Sequence, residues 1–192
     1  MKNRTLILAS ASPRRLDLLQ QIGITPDQII PADIDEMHKR GELPRDYALR
    51  MALEKAQAVL PQAAGAYVLS ADTVVACGRR VLPKTEDEVS ARECLALLSG
   101  RRHRVINGLA LGLPDGTLKT RVTETVVQFR GLHQSEIDGY IASGEWQGKA
   151  GGYAIQGRAA VFVKFISGSY STVVGLSLYD TMQMFNSSGF LR

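Results

Sequence analysis

LILASASPRRLDLLQQIG, residues 6–23, holds a strand, a loop and a helix in one short run. Leu6, Ile7, Leu8 and Ala9 read as a short buried strand. Ser10 to Ser12 is a loop, and Pro13 suits the first helical position with Ser12 as the N-cap. Leu16, Leu19 and Ile22 then recur at helical spacing, and Gly23 stops the helix. Arg14 and Arg15 fall in the first turn, where unpaired N–H groups already carry positive partial charge. A cation there is disfavoured by about 0.3–1 kcal/mol. An anion between the two arginines would reverse that sign, and a serine-rich loop feeding a helix start suits phosphate. Ser10, Ser12, Arg14 and Arg15 are therefore a candidate phosphate site. The alternative is a pair of solvated arginines turned away from the helix end.

Working outward, strands and helices alternate. Ile29–Ala32 reads as a strand running into an acidic loop, DIDEMHKRGELP. Arg45–Leu60 reads as a helix with Tyr47, Met51, Ala52, Lys55 and Val59 near one side. YVLSADTVVAC, residues 67–77, is the strongest strand, turned by Gly78 and two arginines into Val81-Leu82. A helix over Glu86–Leu98 ends at Ser99-Gly100, and strands over 104–112 and 121–129 flank a Pro-Asp-Gly turn. A short helix at Ser135–Ser143, a glycine-rich loop (GEWQGKAGGYAIQG), a strand at Ala160–Ile166 and a final loop and helix over Val173–Asn186 complete the chain. This mixture predicts an α/β protein. With 192 residues and no repeat or linker, the chain reads as one domain, residues 1–192, large enough for a substantial core.

Apolar residues make up 45% and charged residues 22%, the balance of an ordinary folded protein. The net charge of +4 favours anionic partners weakly, and no Lys/Arg run is long enough for a nucleic-acid arm. Aromatics at 6%, with no basic–aromatic stripe, also argue against an RNA-binding module. Cys77 and Cys94 share no motif spacing and read as reduced thiols of a cytosolic protein; His38, His103 and His133 are scattered, which argues against a histidine zinc site. The opening MKNRTLILAS is too short an apolar stretch for a signal peptide and runs straight into Ser-Pro-Arg-Arg, and no run reaches the ~18 apolar residues of a membrane span.

Asp72 sits inside LSADTVV, a run that otherwise asks to be buried. Aspartate is depleted in strands, and an unpaired buried carboxylate is costly. Asp72 is metal-bound, charge-paired or catalytic, or it caps a turn at a strand end. Lys84, in VLPKTEDE, lies just beyond the next turn and could pair with Asp72 or face a phosphate; the alternative is an ordinary surface lysine. Gln156, in GGYAIQG, follows two apolar residues that suggest a chain passing inward, which would aim an amide at a cleft. GEWQGK has the wrong spacing for a P-loop, and neither G-x-G-x-x-G nor G-x-S-x-G occurs, so kinase, dinucleotide-dehydrogenase and serine-hydrolase readings lose support.

SASPRR, SADTVV, LSGRRHRV, GKAGGYAIQG and GSYSTVVGLSL, in this order, resemble the Maf family of nucleotide pyrophosphatases from Leu6 to about residue 185. The resemblance implies an elongated mixed sheet flanked by helices, with two lobes and a cleft between them, related to the inosine-triphosphate pyrophosphatases. It implies cleavage of a nucleoside triphosphate to monophosphate and pyrophosphate with a divalent metal, Mg²⁺ or Mn²⁺, in a cytoplasmic homodimer. It places the catalytic aspartate on Asp72, the arginines on Arg14 and Arg15, an acidic metal residue on Glu36, and two phosphate-binding lysines on Lys55 and Lys84. Base choice falls on Arg14, Thr73 and Gln156, matching the subgroup that acts on dTTP and UTP rather than the one similar to a 7-methyl-GTP pyrophosphatase. No membrane and no stable nucleic-acid partner is expected. Three positions depart from the pattern: Gly148 replaces an acidic residue, Asn107 a threonine and Ser177 a proline. Two alternatives stand beside this reading: a pyrophosphatase of broad or modified-base specificity, and a nucleotide-binding regulator of cell division without essential turnover.

Overall fold

The computed structural model describes residues 4–191; Met1–Asn3, the start of the stretch weighed as a leader, and Arg192 lie outside the described residues. The elements run β1 (Leu6–Leu8), α1 (Pro13–Gln21), β2 (Gln28–Ile29), α2 (Pro44–Val59), β3 (Tyr67–Cys77), β4 (Arg80–Leu82), β5 (Lys84–Thr85), α3 (Glu88–Leu98), β6 (Arg102–Gly112), β7 (Leu118–Phe129), α4 (Gln134–Ala142), β8 (Lys149–Ala150), β9 (Val163–Ser167), α5 (Tyr170–Val174) and α6 (Leu178–Ser188). The main sheet is ordered β2-β1-β3-β6-β7-β9, with β4 on β3, and β5 pairs with β8 in a separate ribbon. β1 is parallel to β2 and β3, whereas β4 and β9 pair antiparallel, so the sheet is mixed, as expected of this α/β sequence. The chain forms two compact units: residues 1–72, 107–123 and 175–192 in the first, and 73–106 and 124–174 in the second.

In the first unit, α1 starts at Pro13, with Ser12 extended at the N-cap position but making no side-chain capping bond. Gly23, at φ +74°, closes the helix and donates its N–H to Gln20. The face α1 buries is Arg15, Leu18 and Leu19, an i, i+3, i+4 stripe, so an arginine occupies a core-facing position. β2 stops at Ile29 rather than reaching Ala32, because Pro31 has no N–H to extend the ladder. α2 buries Ala48, Met51, Ala52, Lys55, Ala56 and Val59, again one stripe with a charged residue in it. α2 packs almost backbone to backbone on β6: a Cβ at Gly108 would lie 2.0 Å from the Ala48 carbonyl oxygen, so only glycine fits there. Ser70 of β3 donates to the Ala52 carbonyl at 2.5 Å and ties the helix to the sheet.

The second unit has an aromatic-rich apolar core, in which α3 and α4 cover the sheet through Leu95, Leu98, Ile137 and Ile141, packed with Val127, Phe129, Trp146, Tyr153 and Phe162. α3 starts later than Glu86 because Asp87 takes the N-cap and accepts from the Ser90 N–H at 2.8 Å. The strand expected from Ala160 begins only at Val163. Residues 158–162 form a 3₁₀ turn that buries Ala159 and Phe162, three apart, a spacing that a period-two reading misses. Residues 170–174, assigned in part to a turn and a loop, form the short helix α5.

Candidate functional site

The first unit brings together Ser10, Arg15, Glu36, Lys55 and Asp72. Asp72 lies in the middle of β3 with 4% of its surface exposed, so it is not a turn cap at a strand end. Its charge is answered from α2: Lys55 Nζ donates to Asp72 Oδ1 at 2.6 Å and lies 2.7 Å from Glu36 Oε1. A buried charge persists only when paired and hydrogen-bonded, and here one ammonium serves two carboxylates. The trio keeps one formal negative charge.

Glu36 comes from the acidic loop before α2, and α2 holds that loop. The Tyr47 hydroxyl donates to the Glu36 main-chain carbonyl at 2.6 Å. Burial, and then the charges of Asp72 and Glu36, push the Tyr47 hydroxyl up to about 12, so it stays a donor. Arg50 grips Glu42 through two bonds, 2.6 and 2.8 Å, and donates to the Met37 carbonyl at 2.9 Å. That Arg50 bond is the main reason the Glu42 carboxyl is held down at about 2. Neither Tyr47 nor Arg50 belongs to any motif; both follow from loop packing alone.

The two arginines of SPRR divide their tasks. Arg15 turns inward, donating to Ser10 Oγ at 2.8 Å and to the Gly175 carbonyl at 2.9 Å. Burial lowers its pKa, with the nearby Asp72 charge opposing, and a guanidinium keeps its charge in either case. Ser10 Oγ also accepts from the Ser12 N–H at 3.2 Å, which shapes the loop. Arg14 stays half-buried, and partial burial lowers its pKa as well. The reading of both arginines as solvated therefore fails for Arg15.

The second unit carries the other candidates. Thr73 follows Asp72 on β3, so its side chain leaves the opposite face of the strand. Lys84 is exposed on β5, in register with Ala150 of β8. That ribbon is clamped by Gly148 N–H to Thr85, Gly151 N–H to Pro83 and Thr85 Oγ1 to the Trp146 carbonyl, at 2.8, 2.9 and 2.7 Å. Gly148, which departs from the family pattern, sits exposed at φ +65°, a conformation glycine adopts freely. Ile155 makes the expected inward pass into the core, while Gln156 remains exposed.

Sequence reasoning missed Asn107 as a contributor, although it marked the position as a departure. Asn107 is fully buried, and its Nδ2 donates to the Asp72 carbonyl at 2.9 Å and to the Gly175 carbonyl at 3.1 Å. Its Oδ1 accepts from the N–H of Ser177, another departure, at 2.9 Å.

Among the described residues, no group of three or more His, Cys, Asp or Glu is gathered tightly enough to hold a metal unaided. Glu36 and Asp72 do converge on one cation, and two carboxylates fit Mg²⁺ or Mn²⁺, which complete their shells with phosphate oxygens and water.

These features define an α/β protein whose first unit holds a cluster of paired charges. Residues 5–188 match the family model described as Maf-like protein, and the chain belongs to the Maf family. The chain is 57% identical to a dTTP/UTP pyrophosphatase of Caulobacter vibrioides, over 96% of each chain. It is 59% identical to one of Paramagnetospirillum magneticum, over 96% of this chain and 97% of that one. Among solved structures it is similar to a nucleoside-triphosphatase, dITP/XTP pyrophosphatase, of Mycobacterium abscessus, with 16% identity, a TM-score of 0.46, and coverage of 97% of this chain and 95% of that one.

Proposed function

We propose that this chain hydrolyses nucleoside triphosphates, dTTP and UTP foremost, to the monophosphate and pyrophosphate. The carrying observation is the carboxylate–lysine–carboxylate trio of Glu36, Lys55 and Asp72. The names of relatives more than half identical along nearly their whole length support the same reading.

A triphosphate repels an incoming water, so its charge must be neutralised and the water aimed in line. Arg14 supplies a bidentate fork for phosphate, Arg15 and Ser10 hold the loop that presents it, and Ser12 adds a hydroxyl. Lys55 and Lys84 act as point charges. Prearranged donors aimed at developing charge are each worth about 2.7–4 kcal/mol. Glu36 and Asp72 would hold the divalent cation, Mg²⁺ or Mn²⁺, which when bound polarises a phosphoryl oxygen and makes bound water more acidic. Asp72 takes the proton from the attacking water, a contribution of about 10²–10⁴-fold. Lys55 keeps that carboxylate oriented through the 2.6 Å bond. By these magnitudes the charge clamp outweighs the base.

Gln156 offers one acceptor and two donors, which match O4 and N3–H of uracil or thymine. Turned over, the same amide matches cytosine, so Thr73 and Arg14 share the task of selection. The working form is a cytoplasmic homodimer. Among the described residues, no helix is long and apolar enough to cross a membrane.

The test is pyrophosphate release with Mg²⁺ or Mn²⁺ from UTP, dTTP, CTP, GTP, ATP and 7-methyl-GTP, with Asp72→Asn as control. Fast release from UTP and dTTP, lost in the variant while nucleotide still binds, is expected. Release mainly from another base overturns the specificity. No release from any nucleotide by folded, nucleotide-binding protein turns the reading to a regulator.

A further inference from the structure

Asn107 is a branch point within the first unit. Its amide works from both ends: Nδ2 donates to the carbonyls of Asp72 and Gly175, and Oδ1 accepts from Ser177 N–H. The Gly175 carbonyl also accepts from Arg15 Nε, and Arg15 Nη1 donates to Ser10 Oγ. One side chain thus connects the backbone of Asp72 to the arginine and serine at the start of α1. Its partners Asp72, Gly175 and Ser177 stand 35, 68 and 70 residues away in sequence, so β3, β6 and the segment before α6 meet at one amide. Only asparagine fits this demand at this length. An aspartate would aim oxygen at two carbonyl oxygens, and a serine or threonine hydroxyl has a single hydrogen to give.

Asn107 and Ser177 are also matched to each other. A proline at 177 has no N–H and asks nothing of residue 107. Serine brings an N–H into a fully buried place, and Asn107 Oδ1 receives it. Ser177 keeps φ at −69°, a value proline shares, so the backbone accepts either residue.

We propose that Asn107, with Ser177 as its partner, is a positioning residue for hydrolysis. It acts through the Asp72 main chain and the Gly175 carbonyl, and so sets the carboxylate of Asp72 and the guanidinium of Arg15 against one another. The proposal rests on the reading of Asp72 as proton acceptor. It predicts a loss in kcat rather than in substrate binding, because misplacing a reacting group by about 1 Å costs on the order of 10²-fold.

The experiment measures kcat and KM for pyrophosphate release from UTP, with circular dichroism and melting as checks on folding. Folded Asn107→Ala should lose about 10²-fold in kcat with KM changed less than about threefold. An unchanged kcat, or a loss carried wholly by KM, overturns the proposal. Should Asn107→Ala not fold, Asn107→Thr carries the test: its single hydroxyl hydrogen serves at most one of the Asp72 and Gly175 carbonyls. Its kcat should fall at least about tenfold with KM changed less than about threefold. Turnover of Asn107→Thr within about twofold of the parent, or a loss carried wholly by KM, overturns it instead. Asp72→Asn run alongside separates the failures. If Asp72→Asn is dead and Asn107→Ala turns over normally, only the positioning role falls; if Asp72→Asn turns over, both fall.

Discussion

The first unit buries Arg15, Lys55 and Asp72 and gives each a charged or hydrogen-bonded partner, whereas the second leaves Lys84 and Gln156 exposed and fills its interior with Phe129, Tyr140, Trp146, Tyr153 and Phe162. The difference follows from the cost of burying charge. An ion removed from water must find its partners within the fold, so the geometry of the first unit exists before any ligand arrives. An exposed amide or ammonium carries no such obligation. It can be exchanged at little cost to the fold.

The sharpest way to break this contrast is Lys55→Met. Removing the ammonium that bonds two carboxylates, one of them buried, should cost about 3–5 kcal/mol in urea unfolding and abolish turnover. A loss under about 1 kcal/mol would mean the trio is solvated and not prearranged. Phe129→Ala is the counterpart in the second unit. It should cost about 3–5 kcal/mol through the cavity it leaves, yet spare kcat in the fraction that remains folded. A selective loss of kcat would erase the distinction between a charged working unit and an apolar supporting core. Gln156→Ala should shift stability by no more than about 0.5 kcal/mol while reducing the UTP-over-CTP preference in kcat/KM about tenfold. Equal preference before and after would remove Gln156 from base selection.

A last contrast concerns His103, a titratable group inside the apolar core whose effect is confined to acid pH. Its Nε2 bonds the Tyr153 hydroxyl at 2.8 Å, and its Nδ1 is buried without a partner. Burial lowers its pKa from 6.5 to about 4. The unfolded chain takes up this proton below about 6.5 and the folded chain only near 4, so stability falls as pH drops through that window and levels off beneath it. His103→Gln should flatten this segment of the stability–pH curve. An unchanged slope would assign the loss to other groups.

The local units were legible in the amino-acid order. The run 6–23 folds as the strand, loop and helix its pattern requires, and Tyr67–Cys77 is β3 without a residue gained or lost. Boundaries slipped where a side chain outranked the pattern: Asp87 capped α3 late, Pro31 cut β2 short, and a 3₁₀ turn took the start of the expected strand before Val163. The candidate residues could be named from composition and resemblance, but their partners could not.

By itself, the sequence determined which local element holds each candidate residue, because hydrophobic period, caps and turns act over a few neighbouring residues. Tertiary structure decided that Arg15 faces the core and Ser10, that Lys55 sits between Glu36 and Asp72, and that Asn107 joins Asp72 to Gly175 and Ser177. A period states which face of an element is buried. It does not state which polar group will meet a charge placed on that face. The lysine that pairs with the Asp72 carboxylate is 17 residues away and the Gly175 carbonyl that Arg15 reaches is 160, and only the packing of helices on the sheet brings such groups within hydrogen-bond reach.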